Sequence, residues 1–110
     1  MTQPAGVSTT GRILEVRLQA EGFDLVARET GAYELGRAND AGLRVNHPTV
    51  SRKHARIIIA DDRSIAYLQD AGGQNGTRLN GQPIEKLAPL ADGDQIGIGE
   101  VELRVTFKRG

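Results

Sequence analysis

The segment "VELRVTF", residues 101–107, decides the fold class, because apolar and polar residues alternate along its whole length. Successive side chains of a strand point to opposite faces of a sheet, so this pattern predicts a strand with one face buried. Shorter segments nearer the N-terminus alternate in the same way, and the residues predicted to face the core there are Leu14, Val16, Leu18, Phe23, Leu25, Ile65 and Tyr67. We therefore expect several short, half-buried strands.

Turn signals separate these segments at short intervals. Two of them are Asn-Gly pairs, Asn75-Gly76 and Asn80-Gly81, and this dipeptide is preferred in hairpin turns because both residues tolerate positive φ. The spacing leaves room for at most one helical turn, in "EKLAPLADG", residues 85–93. Many short strands at this spacing predict an all-β protein, built as an antiparallel sandwich or barrel.

Length and composition exclude several classes of protein. The 110 residues suffice for one domain with a modest core, and 14 Lys and Arg balance 14 Asp and Glu. A chain without net charge has no global field that favours nucleic acid or an anionic membrane surface. With no cysteine and only two histidines, the chain is predicted to have no disulfide framework, no metal site and no cofactor.

The N-terminal residues differ from the rest of the chain. Residues 1–11 are small and polar, which predicts a flexible tail ahead of a folded domain at residues 12–110. No segment has the apolar length of a membrane-spanning helix, and the N-terminus lacks the cationic start and apolar core of a signal peptide. The sequence therefore predicts a cytoplasmic protein without direct membrane insertion.

The arginine that ends "LGR", residues 35–37, is a candidate for anion binding. Gly36 lets the backbone turn, and the guanidinium of Arg37 offers a planar fork of donors that suits phosphate or carboxylate. The alternative is a solvated arginine or a surface ion pair.

The segment "SRKH", residues 51–54, combines a hydroxyl, two cations and an imidazole. A hydrolase would need a nucleophile elbow that is absent here, and an extended chain turns Ser51 and His54 to opposite faces. The segment therefore favours an anion site in which Ser51 and Arg52 face the ligand. His54 is predicted to be buried and to hold the loop by hydrogen bonds, whereas Lys53 is interpreted as a solvated residue.

Two later loops offer weaker signals. The amide of Asn75 can both donate to and accept from the backbone of an extended peptide, whereas a hairpin turn alone explains Asn80-Gly81. Asp92 and Asp94 raise the alternative of a calcium site, but they lack the ligand spacing of an EF-hand. A turn before a strand is therefore favoured at these carboxylates.

Taken in order, these segments resemble the forkhead-associated (FHA) domain family. The match spans about residues 13–107 with the gaps expected for the family, and its parts are Gly36-Arg37, Ser51 to His54, Asp70, Asn75 to Thr77, Asn80-Gly81 and "GDQIGIG". The resemblance implies a sandwich of about eleven strands whose loops at one end bind phosphothreonine in an extended peptide. It also implies a binding module and not an enzyme.

The resemblance implies roles for the matching residues. Those expected at the phosphate are Arg37, Ser51 and Arg52, those at the peptide backbone Asn75, Asn80 and Gln74, and those that shape the loops Gly36, His54, Gly76 and Thr77. One departure is Gly73-Gln74, where the family usually has at least one hydroxyl residue, and the Gln74 amide is the expected replacement. The family also implies a preference for threonine over serine, because the threonine methyl group enters a small pocket.

Two functions remain as hypotheses. The first is a phosphothreonine-binding module of a bacterial Ser/Thr kinase pathway, whose partner is a kinase or its substrate. The alternative, which Gly73-Gln74 keeps open, is a phosphorylation-independent assembly module on the same fold. A separate hypothesis is that Thr9 or Thr10, once phosphorylated, folds back into the domain's own site, as in some small bacterial members of the family. Its alternative is a disordered leader.

Overall fold

The computed structural model describes residues 11–110, which form eleven strands and no helix. The prediction of an all-β sandwich with about eleven strands is confirmed. This part of the chain has no helix long and apolar enough to cross a membrane. Residues 1–10 of the expected flexible tail lie outside the described residues, and they include Thr9 and Thr10, for which phosphorylation is one hypothesis. The strands are β1 (Ile13–Ala20), β2 (Phe23–Ala27), β3 (Gly31–Gly36), β4 (Leu43–Arg44), β5 (Ala55–Ile59), β6 (Ala66–Asp70), β7 (Thr77–Leu79), β8 (Gln82–Pro83), β9 (Leu87–Leu90), β10 (Gln95–Ile98) and β11 (Val101–Arg109).

Two sheets make up the sandwich. The larger has six strands in the order β2-β1-β11-β10-β7-β8, and the smaller has five in the order β4-β3-β5-β6-β9. Every pairing is antiparallel except the short parallel pairing of β3 with β4. The chain crosses between the sheets several times, which is how distant loops come to meet at one end.

The core lies between the sheets and follows the period of two. In β11 the side chains of Val101, Leu103 and Val105 are buried while Glu102 and Arg104 are exposed, as the sequence predicts. Each fully buried aliphatic side chain contributes about 1.5–3 kcal/mol relative to exposure. The remaining core residues are Ile13, Val16, Leu18, Ala27, Leu35, Leu43, Val45, Val50, Ala55, Ile57, Ile59, Ala66, Leu68, Leu90, Ile96 and Ile98.

The prediction for β1 was wrong at Leu14, whose side chain is 40% exposed. Ile13 pairs with Arg109 but Glu15 pairs with Lys108, so β1 contains a β-bulge between them. A bulge inserts one residue and breaks the alternation locally. Ile13 therefore takes the buried place that the pattern had given to Leu14.

The prediction for β6 was wrong about the buried face. Ala66 and Leu68 are fully buried, while Ile65 and Tyr67 are half-buried and stay outside the core cluster. Both faces of this segment carry apolar residues, so alternation alone could not decide between them. The structure buries Ala66 and Leu68 at this point and leaves Ile65 and Tyr67 on the outer face.

The helical turn considered in residues 85–93 is absent. Residues Leu87–Leu90 form β9 instead, which pairs with β6 and is the edge strand of the five-stranded sheet. Pro89 fits this edge because a proline cannot donate a backbone hydrogen bond to a further strand.

Candidate functional site

The register of the five-stranded sheet places three loops side by side. Leu35 pairs with Ala55, and Ala55 pairs with Asp70, so the end of β3, the start of β5 and the end of β6 lie in one row. The loops that leave the sheet at this row are called the site loops. They comprise residues 37–42, 45–54 and 71–76.

Gly36 allows the first two site loops to touch. A Cβ atom at Gly36 would overlap the backbone oxygen of Arg52 and would lie 2.9 Å from that of Ser51. Both contacts are to backbone, which cannot rotate away. The approach is secured by two hydrogen bonds, from the Arg37 amide to the Ser51 carbonyl (3.0 Å) and from the Ala38 amide to the Arg52 carbonyl (3.1 Å).

Arg37 is exposed but its guanidinium is already oriented. Its Nε donates to the carbonyl of Val50 at 3.0 Å, while its two terminal nitrogens make no hydrogen bond or ion pair with residues 11–110. The bond from Nε restricts the long side chain before any ligand arrives, which lowers the entropy cost of binding. The free edge of the guanidinium can still donate two parallel bonds to an oxyanion.

His54 connects the second and third site loops from inside. Its side chain is fully buried. The Ser51 amide donates to Nδ1 at 3.0 Å, so Nδ1 acts as the acceptor. The proton of a neutral ring then lies on Nε2, which donates to the Gly76 carbonyl at 2.7 Å. Both nitrogens of His54 are therefore used to hold backbone.

Ser51 has a hydroxyl that is available to a ligand. Its Oγ accepts a hydrogen bond from the Gln74 amide at 3.0 Å, and the hydroxyl proton has no acceptor among residues 11–110. The ring of His54 contacts the amide of Ser51 and not the hydroxyl, so His54 is not placed to deprotonate that hydroxyl. The arrangement suits a donor to an anion and does not suit a nucleophile.

The departure at Gly73-Gln74 has a structural reason. A Cβ atom at Gly73 would lie 2.7 to 2.9 Å from three atoms of the His54 ring, so a side chain there collides with the imidazole. Gln74 is exposed, and its backbone amide supplies the bond to the Ser51 hydroxyl. The loop is closed further by a bond from the Gly76 amide to the Gly73 carbonyl.

Asn75 is exposed and held at one atom only. Its Nδ2 donates to the carbonyl of Thr49 at 2.9 Å. This bond fixes the rotation of the amide, while Oδ1 has no partner among residues 11–110. The oxygen and the second N–H of Asn75 can therefore pair with the backbone of an extended peptide.

Thr77 stabilises the C-terminal end of the third site loop. It is 2% exposed, and its hydroxyl donates to Oδ1 of Asp70 at 2.8 Å. The pair ties the start of β7 to the end of β6. Asp70 and Thr77 thus fix the two ends of the loop that carries Asn75.

Asn80 lies outside the three site loops, between β7 and β8. Its Nδ2 donates to Asp94 at 3.0 Å, and its Oδ1 accepts from the Gln95 amide at 2.9 Å, so both ends of the amide are occupied.

The carboxylates of Asp92 and Asp94 accept hydrogen bonds from backbone amides. Asp94 accepts from the Ala91 amide, and Asp92 accepts from the Phe107 amide. These two carboxylates serve as turn acceptors, and residues 11–110 contain no group of three side chains able to hold a metal ion.

An open pocket of about 300 Å³ lies between the site loops. Its lining includes two arginines, two hydroxyl residues and two residues with side-chain amides, and it contains no carboxylate. A pocket of one charge sign concentrates ligands of the opposite sign. The lining residues are Arg37, Pro48, Thr49, Val50, Ser51, Arg52, Gln74 and Asn75.

Comparison with known proteins assigns the fold to a family, since a model described as the FHA domain matches residues 33–99. The chain belongs to the FHA domain family. The FHA domain-containing protein FhaA of Mycobacterium tuberculosis is 39% identical over 75 residues, which cover 68% of this chain and 14% of FhaA. This chain therefore spans only a small part of that relative's length.

Solved FHA structures agree with the architecture. One, from a structural and functional analysis of phosphothreonine-dependent FHA domain interactions, superposes with a TM-score of 0.76 at 34% identity, covering 87% of this chain and 99% of the other. Another, the FhaA FHA domain in complex with the intracellular domain of a second protein, gives a TM-score of 0.70 at 34% identity. Its coverage is 83% of this chain and 97% of the other.

The pocket of this FHA domain contains most of the residues that the sequence singled out. Arg37, Ser51, Arg52, Gln74 and Asn75 all line it, whereas Asn80 does not. The loop-shaping candidates Gly36, His54, Gly76 and Thr77 surround the pocket through the contacts described above. Pro48, Thr49 and Val50 also line the pocket and were not predicted from the sequence. Thr49 and Val50 accept through their carbonyls, a property that every residue type shares and no motif reveals.

Proposed function

We propose that this FHA domain binds phosphothreonine within an extended peptide of a partner protein. One observation carries the proposal: a preoriented guanidinium with free terminal nitrogens and a hydroxyl with a free proton meet in a pocket whose lining has no carboxylate. A phosphate dianion presents three strong acceptor oxygens, which such a set of donors satisfies. The similarity to an FHA domain studied for phosphothreonine-dependent interactions supports the same ligand.

Each pocket residue has a distinct part in this proposal. Arg37 donates hydrogen bonds to the phosphate from the two terminal nitrogens of its guanidinium, and Ser51 donates its hydroxyl proton to a phosphate oxygen. Arg52 supplies a second positive charge to the lining of the pocket. Asn75 pairs with the peptide backbone, and Gln74 stands where the family usually has a hydroxyl residue. We propose a structural role for Asn80, because both ends of its amide are already bonded.

The wider context is part of the same proposal. The binding unit corresponds to residues 12–110, and it acts as a binding module in the cytoplasm of a bacterium with Ser/Thr kinases. The partner is a kinase or one of its substrates. The similarity to a mycobacterial FHA domain-containing protein supports this setting. We further expect phosphothreonine to be preferred to phosphoserine.

A second candidate function rests on the outer face of the five-stranded sheet. Ala32 pairs with Ile58, Ile58 with Tyr67, and Tyr67 with Pro89, so one row across four strands is apolar. An apolar strip on the surface of a small domain is a feature of protein contacts. It favours an assembly role that is independent of phosphorylation, through this face and not through the pocket.

Peptide arrays separate the two functions. Each peptide is synthesised with threonine, phosphothreonine and phosphoserine at the same position, and the arrays are probed with wild type and with Arg37→Ala and Ser51→Ala. We expect wild type to bind the phosphothreonine form best and the threonine form not at all, and we expect both variants to bind the phosphothreonine form far more weakly than wild type. Lys53→Ala is the matched control, because Lys53 is an exposed cation beside Arg52 that does not line the pocket. Equal binding of all three peptide forms would support the assembly role instead.

A further inference from the structure

Asn75 depends on a partner that has no charge and no place in the family motif. The bond from its Nδ2 to the carbonyl of Thr49 is its only hydrogen bond within residues 11–110. If that carbonyl moved, the amide of Asn75 would be free to rotate, and its orientation toward a peptide would be lost. The position of the Thr49 carbonyl therefore matters for any ligand that Asn75 binds.

The hydroxyl of Thr49 is fixed from two sides. The Glu100 amide donates to Oγ1 at 2.8 Å, and Oγ1 lies 2.8 Å from Nδ1 of His47. Because the Glu100 amide can only donate, the hydroxyl proton is directed to His47. The Thr49 amide also points to the same nitrogen, at 3.2 Å. Thr49 is thus bonded through its amide, its hydroxyl and its carbonyl at once.

The turn between β10 and β11 holds Thr49 in place. Gly99 lies directly against the carbonyl and the hydroxyl of Thr49. The carbonyl of Gly99 accepts from Arg78 at 2.7 Å, and the same Arg78 nitrogen pairs with Glu102 at 3.0 Å. The six-stranded sheet thereby supports a residue of the second site loop, 51 positions from Glu100 in sequence.

We propose that Thr49 is a positioning residue for ligand binding: its hydroxyl, held by the β10–β11 turn and His47, places the carbonyl that orients Asn75. This inference rests on the proposed function, because it assigns a part in binding the same peptide. Thr49 acts on the peptide through Asn75. Its contribution should therefore disappear when Asn75 has no amide to orient.

The test compares Thr49→Val, which has nearly the same shape but no hydroxyl, with Thr49→Ser, which keeps the hydroxyl. Affinity for one phosphothreonine peptide is measured by calorimetry in both variants and in wild type. We expect Thr49→Val to weaken binding about fivefold, the effect of one ordinary hydrogen bond, and Thr49→Ser to stay within about twofold of wild type. Thermal unfolding of each free protein shows whether the fold is intact.

A double-mutant cycle distinguishes positioning from a general loss of structure. Thr49→Val is combined with Asn75→Ala, and we expect no further loss of affinity beyond that of Asn75→Ala alone. In nitrogen-edited NMR spectra of the free protein, Thr49→Val should shift the side-chain amide signals of Asn75, and Thr49→Ser should leave them near their wild-type positions.

The outcomes separate this inference from the proposed function. If wild type binds the phosphothreonine peptide and Thr49→Val binds it equally well, or weakens it by the same factor with and without Asn75, the positioning role is wrong. Unmoved Asn75 amide signals in Thr49→Val overturn it as well. If wild type itself fails to bind, the proposed function is wrong, and the NMR comparison still decides whether Thr49 orients Asn75.

Discussion

Arg37 shows how a single residue of the site is prepared for its ligand. Its Nε is bonded to the Val50 carbonyl, and its own carbonyl accepts from Nε of Arg44 at 3.2 Å. The side chain and the backbone of Arg37 are thus held from different directions. The two terminal nitrogens therefore have a fixed orientation and can still donate hydrogen bonds. Such a planar pair of donors distinguishes arginine from lysine.

We predict that Arg37→Lys weakens phosphothreonine binding about tenfold although the charge is kept. A lysine ammonium cannot bond to Val50 and to the phosphate through one planar group. Arg37→Ala should cost about a hundredfold, because a charge-assisted interaction is lost entirely. Fluorescence anisotropy with a labelled peptide measures both variants. Wild-type affinity in Arg37→Lys would show that only the charge of Arg37 matters.

Among the glycines of residues 11–110, Gly36 has the least space for a side chain. We predict that Gly36→Ala lowers the free energy of unfolding by about 1–3 kcal/mol, because the added Cβ overlaps the backbone of Arg52. Gly42→Ala is the matched control, since a Cβ there meets the Tyr33 ring at an ordinary 3.5 Å. Urea unfolding of the two variants gives the comparison. A Gly36→Ala variant as stable as Gly42→Ala would contradict the close approach.

The residues of the site were more predictable than their partners. Gly36, Arg37, Ser51, His54 and Asn75 could be found because their types recur in a family pattern. The side chains of Arg37, His54 and Asn75 each bond to a backbone carbonyl that lies 13 to 26 residues away. A backbone carbonyl looks the same in every residue, so the sequence carries no sign of which one is used.

At the scale of elements, the three site loops are held to one another as well as to their strands. His54 bonds to the second loop through Ser51 and to the third through Gly76. The register of β3, β5 and β6 brings the loops together, and His54 joins the second loop to the third. The sandwich therefore positions the pocket before a ligand arrives.

Strand β5 offers a direct test of which face of the five-stranded sheet is buried. We predict that Ile57→Ala lowers the free energy of unfolding by about 2–5 kcal/mol, because Ile57 is fully buried and its loss leaves a cavity. Ile58→Ala is its neighbour control and should cost clearly less, since Ile58 lies on the outer face. Equal losses in the two variants would mean that the outer face is covered in solution.

Elements with a clean alternation were predicted correctly, and those without it were not. β11 alternates along its length and is buried as expected, whereas β1 contains a bulge at Leu14 and β6 is apolar on both faces. Bulges and two-sided apolar strands are decided by pairing with distant strands. Local sequence does not contain that information, so the fold class and the inner face of β11 were accessible, while the bulge in β1 and the inner face of β6 were not.

At the scale of the whole molecule, charge is distributed unevenly although the net charge is zero. The outer face of the six-stranded sheet has carboxylates paired with cations, such as Asp24 with Arg17 and Glu102 with Arg78. In contrast, Arg37 and Arg52 in the pocket have no carboxylate partner within residues 11–110. The chain has no net charge, but its pocket carries a local positive charge that can attract an anion.

Ionisation of the ligand should change when this site binds it. The second pKa of a phosphothreonine phosphate is about 6, and two guanidinium groups favour the dianion over the monoanion. We predict that the phosphate pKa falls on binding, so that affinity rises as the pH increases through about 6 and is lost below it. Phosphorus NMR follows the phosphate directly, free and bound. An unchanged or raised phosphate pKa in the complex would contradict phosphate binding between the two arginines.

The most direct test of the central claim is a titration followed in amide NMR spectra, with one peptide in its phosphothreonine and its threonine form. We predict that the phosphorylated peptide shifts signals of the site loops, above all at residues 36–38, 49–52 and 73–76, and that the plain peptide shifts none of them. Equal shifts with both peptides, or shifts centred on the outer face of the five-stranded sheet around Ile58 and Tyr67, would contradict the claim that this pocket binds phosphothreonine.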